Sequence, residues 1–396
     1  MERRYARRMD GLTGNAIRDL FKYSARPGII SFAGGLPAPF SFPCEDVARI
    51  CKDVIDCNGK TILQYGETEG YRPLRETVAG MMNKTGIKCN ADNVLITAGS
   101  LQGAELMSRA FLDEGDAILV ESPTFLGVLH TFKLYRPKFI PVEMDDEGMV
   151  MSDLERKMKA HRPKFLYVIP TFQNPTGKTL GLERRKKVLE LAKKYNVLIL
   201  EDDPYRDLRY FGEALPSIAS MDEGLQNVVY LMSFSKILSP GLRVGGLIAE
   251  PGLHRKLTIC KQGTDVHTSL LAQAAADEYV KSGALEMNLP KALSMYREQL
   301  SAMLEGFAHF PKDIVHTRPE GGLFVWVELP KGIHTTKLLI EKSLDAGVSY
   351  IPGEQFYTEP GHENTMRLNF SACPPETIRK GMEILGGVIA DAVSNV

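Results

Sequence analysis

From about Asn93 to Ile248 the chain alternates short apolar runs with amphipathic stretches of helical period, and no other feature constrains its fold as much. The runs at 94–97, 117–121, 138–142, 165–169, 197–201, 228–232 and 246–249 read as strands. Several are apolar without strict alternation, as strands covered on both faces must be. Between them lie helical stretches such as Leu182–Tyr195, in which Val188, Leu189, Leu191 and Ala192 can line one face. Strands alternating with helices imply an α/β domain around a mostly parallel sheet. Such a sheet binds ligands beyond the carboxyl ends of its strands, so chemistry is sought just after each run.

The chain has 396 residues, more than one hydrophobic core usually carries, so a second domain is expected. A long helical stretch at 284–310, an alternating run at 323–329 and a strand at 366–369 predict a smaller α+β domain at the C-terminus. The first 45 or so residues, with Gly34-Gly35-Leu36-Pro37, read as an arm and loop. With a formal net charge of -1, no global field recruits nucleic acid or an anionic membrane. An acidic substrate must therefore be caught by particular arginines.

The opening Met1-Glu2-Arg3-Arg4-Tyr5-Ala6-Arg7-Arg8 is basic but lacks a following apolar segment, so no secretory signal is expected. No apolar run approaches the roughly 20 residues needed to span a bilayer, and the expected compartment is the cytoplasm. Six cysteines without a Cys-x-x-Cys pair predict reduced thiols rather than zinc ligation or disulfides. Eight dispersed histidines add no metal motif.

Polar groups gather at the strand ends. One apolar strand ends in Glu201-Asp202-Asp203-Pro204-Tyr205, which a solvated turn with a helix cap would explain. The alternative is a carboxylate held at the sheet edge, with Asp202 stabilising a positive ring nitrogen and Tyr205 donating to a ring oxygen. Another strand leads into Ser233-Phe234-Ser235-Lys236 and on to Arg243. A lysine after a strand is usually a snorkelling surface residue. Here hydroxyls bracket it, and Ser233, Ser235 and Arg243 suit a phosphate beside an amine. That combination suggests an aldehyde cofactor held as an imine.

Thr97-Ala98-Gly99-Ser100-Leu101 is a strand, a turn and a helix start, whose free N–H groups can bind phosphate. Turns of this composition are common. The segment lacks the dinucleotide and P-loop glycine patterns, which disfavours those readings. Asn174, in Asn174-Pro175-Thr176-Gly177, belongs either to a simple turn or to a ring-oxygen contact. Phe125 packs in the core or, if a planar cofactor is present, stacks on it.

Together these segments, in this order and spacing, resemble the fold-type I pyridoxal-phosphate aminotransferases of class I/II. Further segments resemble the 2-aminoadipate and kynurenine subgroup and extend the likeness over essentially the whole chain. They are Ala16-Ile17-Arg18-Asp19-Leu20, Gln64-Tyr65-Gly66-Glu67, Lys261-Gln262-Gly263, Gly321-Gly322-Leu323-Phe324 and Thr365-Met366-Arg367-Leu368. The resemblance implies a mainly parallel seven-stranded sheet with helices on both faces, plus a smaller α+β domain. Residues 1–45 would form an arm and small-domain segment, 46–285 the large domain binding pyridoxal 5'-phosphate, and 286–396 the small domain.

By the same resemblance, Lys236 is the Schiff-base lysine, Asp202 pairs with the pyridine nitrogen, and Tyr205 and Asn174 hold the ring oxygen. Phe125 stacks on the ring. Ser100, the Leu101 backbone, Ser233, Ser235 and Arg243 hold the phosphate, with Tyr65 arriving from the second subunit of a homodimer. Arg367, Asn174 and the Gly35 backbone take the substrate α-carboxylate, and Arg18 meets a distal acidic group. Phe125 replaces a frequent tyrosine and Leu101 a frequent glutamine, which bears on fine substrate preference.

The implied reaction exchanges an amino group between an L-amino acid and a 2-oxo acid by ping-pong steps. Donors would be 2-aminoadipate, glutamate, or aromatic or branched amino acids, and 2-oxoglutarate would be an acceptor. Lyases and decarboxylases share the fold, the lysine and the aspartate. Effector-sensing transcription regulators share it too but carry an N-terminal DNA-binding domain, where here only a short basic arm precedes the match. Arg3, Arg4, Arg7 and Arg8 read as a solvated helix start or a partner-binding tail.

Overall fold

All seven apolar runs become strands of one sheet in a computed structural model that describes residues 5–10 and 28–394. In chain order the strands are β1 (Ile30–Ser31), β2 (Val94–Thr97), β3 (Ala117–Ser122), β4 (Lys138–Asp145) and β5 (Gly148–Met149). Then come β6 (Phe165–Val168), β7 (Leu198–Asp202), β8 (Val228–Ser233), β9 (Gly245–Ile248) and β10 (Val315–His316). The last are β11 (Phe324–Glu328), β12 (Val348–Ser349), β13 (Ile351–Pro352) and β14 (Thr365–Asn369).

The main sheet has the order β2-β9-β8-β7-β6-β3-β4-β5. It holds eight strands rather than the expected seven, because β5 folds back for two residues against the end of β4. A two-residue strand is too short to leave a period in the sequence. The pairings from β4 through β3, β6 and β7 to β8 are parallel. Only β9, among the long strands, runs the other way, antiparallel to both β8 and β2.

Strands β2, β6, β8 and β9 are buried at every position. Successive residues serve opposite cores, as the two-residue period of a strand requires. Phe165 and Tyr167 of β6 join one core, while Leu166 and Val168 join the other. The helix Leu182–Tyr195 forms with the expected bounds and buries Val188, Leu189, Leu191 and Ala192. It closes on Asn196 in the left-handed region, a common helix C-cap.

A second sheet, β10-β11-β14-β13, is antiparallel throughout. It belongs to a smaller unit with the helices Ala284–Gly306 and Pro375–Val393. The segment after the N-terminal arm is knitted into this unit, because β1 pairs in parallel with β12. One hydrophobic core runs from the main sheet into the smaller unit without a break. Among the described residues no helix is long and apolar enough to cross a membrane, and no acid, histidine or cysteine cluster is placed to hold a metal.

The two helices of the smaller unit meet at Gly306, where an added Cβ would lie 2.5 Å from Cβ of Met382. Gly306→Val is expected to lower the urea midpoint and cost about 1–3 kcal/mol, as overpacking does. An unchanged midpoint would contradict this packing.

Candidate active site

Strand direction decides what meets at the sheet's carboxyl edge. Ser100 follows β2, Phe125 follows β3 and Asn174 follows β6. Asp202 ends β7, Ser233 ends β8, and Tyr205 lies just past Asp202. Because β9 is reversed, the chain leaves β8 and enters β9 at the same edge, which brings Ser235, Lys236 and Arg243 to it as well. The smaller unit contributes Arg367 from β14, and the N-terminal segment contributes Gly35.

These residues, with Leu101, line one cavity of about 360 Å³. Twelve of the fourteen residues expected from the sequence thus come together. Tyr65 does not join them: it is 82% exposed, with its ring edge-on to His267 at 5.9 Å. Arg18 lies outside the described residues.

At one side of the cavity the Lys236 ammonium donates to the Gly35 carbonyl at 3.0 Å and lies 5.6 Å from the centre of the Tyr205 ring. Removal from water, and then the positive Arg367 and Arg243, lower its pKa to about 8. Such an amine is neutral, and nucleophilic, far more often than a surface lysine.

Asp202, lining the same cavity, is buried. Its Oδ2 accepts a 2.8 Å hydrogen bond from the Tyr167 hydroxyl, and its Oδ1 has no partner. Burial pushes this carboxyl up to about 7, and the Tyr167 hydrogen bond pulls against that rise. A buried acceptor without a donor is costly, and a protonated ring nitrogen would satisfy it.

Arg367 is the third charged group. Its Nη1 donates to Asn174 Oδ1 at 2.9 Å, and its Nη2 to the carbonyls of Ala33 and Gly34 at 3.2 Å. Phe324 and Phe356 flank the guanidinium at 4.2 and 5.0 Å from their ring centres. Burial lowers its pKa to about 10, yet these partners are all neutral and Nε has none. A buried cation with only neutral partners is suited to an incoming carboxylate. Asn174 also donates to the Tyr205 hydroxyl at 3.4 Å, and burial raises the pKa of that phenol.

The remaining corner is tightly built. Gly99 has φ +84°, and a Cβ there would lie 2.5 Å from Nη2 of Arg243. That guanidinium donates to the Ala98 carbonyl at 2.7 Å. Ser100 opens the helix Ser100–Phe111, and the Ser233 hydroxyl accepts from the Ser235 N–H at 3.1 Å. Hydroxyls, a helix N-terminus and a guanidinium fit a phosphate group.

Sequence reasoning assigned no role to Tyr167 or to the Phe324 and Phe356 pair. Tyr167 lies opposite Leu200 in the β6–β7 register, so it shares a face with Asp202 two residues on. Only the strand order reveals that.

Residues 36–385 match the aminotransferase class I and II family. The aromatic-amino-acid aminotransferase 1 of Thermococcus litoralis is 43% identical over 397 residues, covering 98% of this chain and 95% of that protein. The α-aminoadipate aminotransferase LysN of Thermus thermophilus, in a crystal structure complexed with N-(5'-phosphopyridoxyl)-L-leucine, is 39% identical with a TM-score of 0.92. That match covers 99% of this chain and 98% of the other. Kynurenine aminotransferase from Pyrococcus horikoshii, crystallised with PMP, gives a TM-score of 0.94 at 41% identity over 98% of this chain and 97% of its own.

Tyr167→Phe removes the donor that restrains the Asp202 carboxyl. Difference infrared titration of the cofactor-free protein should then find that carboxyl protonated to a pH above about 7, where the intact site holds it. An equal or lower midpoint would show that the hydroxyl has no such hold.

Proposed function

The chain belongs to the class I and II aminotransferases, and from that premise we propose how its residues divide the work. It is a pyridoxal-phosphate enzyme that transfers an amino group between amino acids and 2-oxo acids. Bound pyridoxal phosphate supplies an aldehyde that condenses with amines and a ring that takes up the electron pair left when a Cα–H bond breaks.

Lys236 would hold the cofactor at its aldehyde carbon and, once released, would move the proton at the substrate Cα. Asp202 would offer its free oxygen to the ring nitrogen and favour its protonated state. Tyr205 and Asn174 would donate to the ring oxygen, and Phe125 would pack against the ring. Ser100, the Leu101 N–H, Ser233, Ser235 and Arg243 would hold the phosphate. Arg367, with Asn174 and the Gly35 backbone, orients the substrate α-carboxylate. The observation that carries this reading is the acid-free, buried guanidinium of Arg367 in one cavity with Lys236 and the unmet oxygen of Asp202.

The exposed Tyr65, which does not line its own chain's cavity, supports a homodimer in which it serves the neighbouring site. Donors in this reading are 2-aminoadipate and glutamate, met by Arg18, together with aromatic or branched amino acids. The acceptor is 2-oxoglutarate or another 2-oxo acid, in ping-pong order. Aromatic and aminoadipate donors are those for which similar enzymes are named. Six free thiols suit the reducing cytoplasm as its compartment.

Lys236→Ala should lose the visible absorbance of lysine-bound cofactor and slow turnover by roughly 10²- to 10⁴-fold or more. Near-normal transamination by this variant would refute the assignment. Arg367→Ala should raise KM by about 30-fold or more, since an unpaired buried charge costs about 2–5 kcal/mol. An unchanged KM for every amino acid would remove Arg367 from the carboxylate site. The lowered Lys236 pKa makes the neutral amine scarcer below about 8 and dominant above it. Cofactor uptake by the stripped enzyme should therefore accelerate as pH rises through that value and then level off; a rate that falls over the same range would speak against it.

A further inference from the structure

Lys261 lies outside the cavity, and its side chain is 0% exposed. A buried ammonium persists only where acceptors ring it. Its Nζ reaches both carboxylate oxygens of Asp265 at 2.8 Å, Gln102 Oε1 at 2.9 Å and the Thr268 hydroxyl at 3.1 Å.

Two paths lead away from this cluster. Along the first, Gln102 donates to Asp265 at 2.8 Å, and its Oε1 accepts the Ala98 N–H at 2.8 Å. The carbonyl of the same Ala98 takes the Arg243 guanidinium. The turn that begins the helix Ser100–Phe111 is thus held on one side by the phosphate arginine and on the other by the Lys261 cluster. Along the second path, the Thr268 carbonyl accepts from Gln273 at 2.7 Å, and Gln273 Oε1 accepts the Tyr71 N–H at 2.7 Å. That path ends in the loop carrying Tyr65.

Between the paths, Val266 sits at φ +64°, a conformation that a β-branched residue adopts only when its surroundings enforce it. Its neighbours Asp265 and Thr268 are both partners of Lys261.

We propose that Lys261 is a positioning residue for the phosphate end of the cofactor site, fixing the turn at 98–100 from behind through Gln102, a role that depends on the phosphate lying at Ser100, Ser233, Ser235 and Arg243. It touches neither cofactor nor substrate. Its effect is to keep the N–H groups of the turn aimed where the phosphate binds, and to lock that turn to the Tyr65 loop.

The test compares pyridoxal phosphate with pyridoxal, which lacks the phosphate. The full-length holoenzyme and its Lys261→Met, Gln102→Leu and Arg243→Ala variants are stripped, then titrated with each compound. Lys261→Met and Gln102→Leu should raise the Kd for pyridoxal phosphate by roughly tenfold to a hundredfold. Their Kd for pyridoxal should move by less than about threefold. General damage to the fold would weaken both compounds alike, and that result overturns the proposal. Gln102→Leu keeps the Lys261–Asp265 pair, so it decides the matter if Lys261→Met fails to fold. If Arg243→Ala discriminates between the compounds and the other two variants do not, the Lys261 role falls and the phosphate site stands. If Arg243→Ala does not discriminate either, the phosphate site falls and takes the Lys261 role with it.

Discussion

A sheet covered on both faces leaves its polar side chains one outlet, the ends of its strands. Along β6 and β8 in the middle of the sheet, and along β9 and β2 towards one edge, every residue is buried. Acids therefore collect where β3 and β7 finish. Glu121 and Glu201 are pushed up to about 8 and about 7 by burial, and backbone N–H groups supply their partners. Asp202 is buried in the same way but keeps one oxygen unmet beside the cavity. The same burial that stabilises the sheet thus leaves a carboxyl group with an unmet oxygen at its edge.

Arg367 joins what the sheet alone cannot. It stands on β14 of the smaller sheet, bonds Asn174 at the edge of the larger one, and bonds the carbonyls of Ala33 and Gly34. Three segments remote in sequence meet on one guanidinium, between two phenyl rings. Its flat shape and fixed donors suit such a junction better than a lysine would. The proposed carboxylate site and the seating of the smaller unit therefore share one group.

The sheet was legible because its strands are short, apolar and separated by helices with a clear face, as in Leu182–Tyr195. Asp202 and Lys236 were legible because one ends a strand and the other follows one by three residues, and Arg243 because it stands two residues before the next strand. β5 was not, since two residues carry no pattern. Tyr167 was not, because its partner Asp202 depends on β6 lying beside β7. The flanking of Arg367 by Phe324 and Phe356, and the grip of Lys261 on Gln102, join residues far apart in the chain, and local propensity says nothing of such pairs. Tyr65 is a different case. Its exposed ring has meaning only against a surface that its own chain does not supply.

The reversal of β9 has a further effect. Parallel neighbours need a crossover of a dozen residues or more, whereas an antiparallel return can be short. Lys236 and Arg243 both lie within the return from β8 to β9, so in the proposed reading its length would act as a caliper for the span between an aldehyde carbon and a phosphate. Helix-bearing connections elsewhere around the sheet can grow without disturbing that span. An insertion in this one would pull the amine and the guanidinium out of register with a ligand of fixed size.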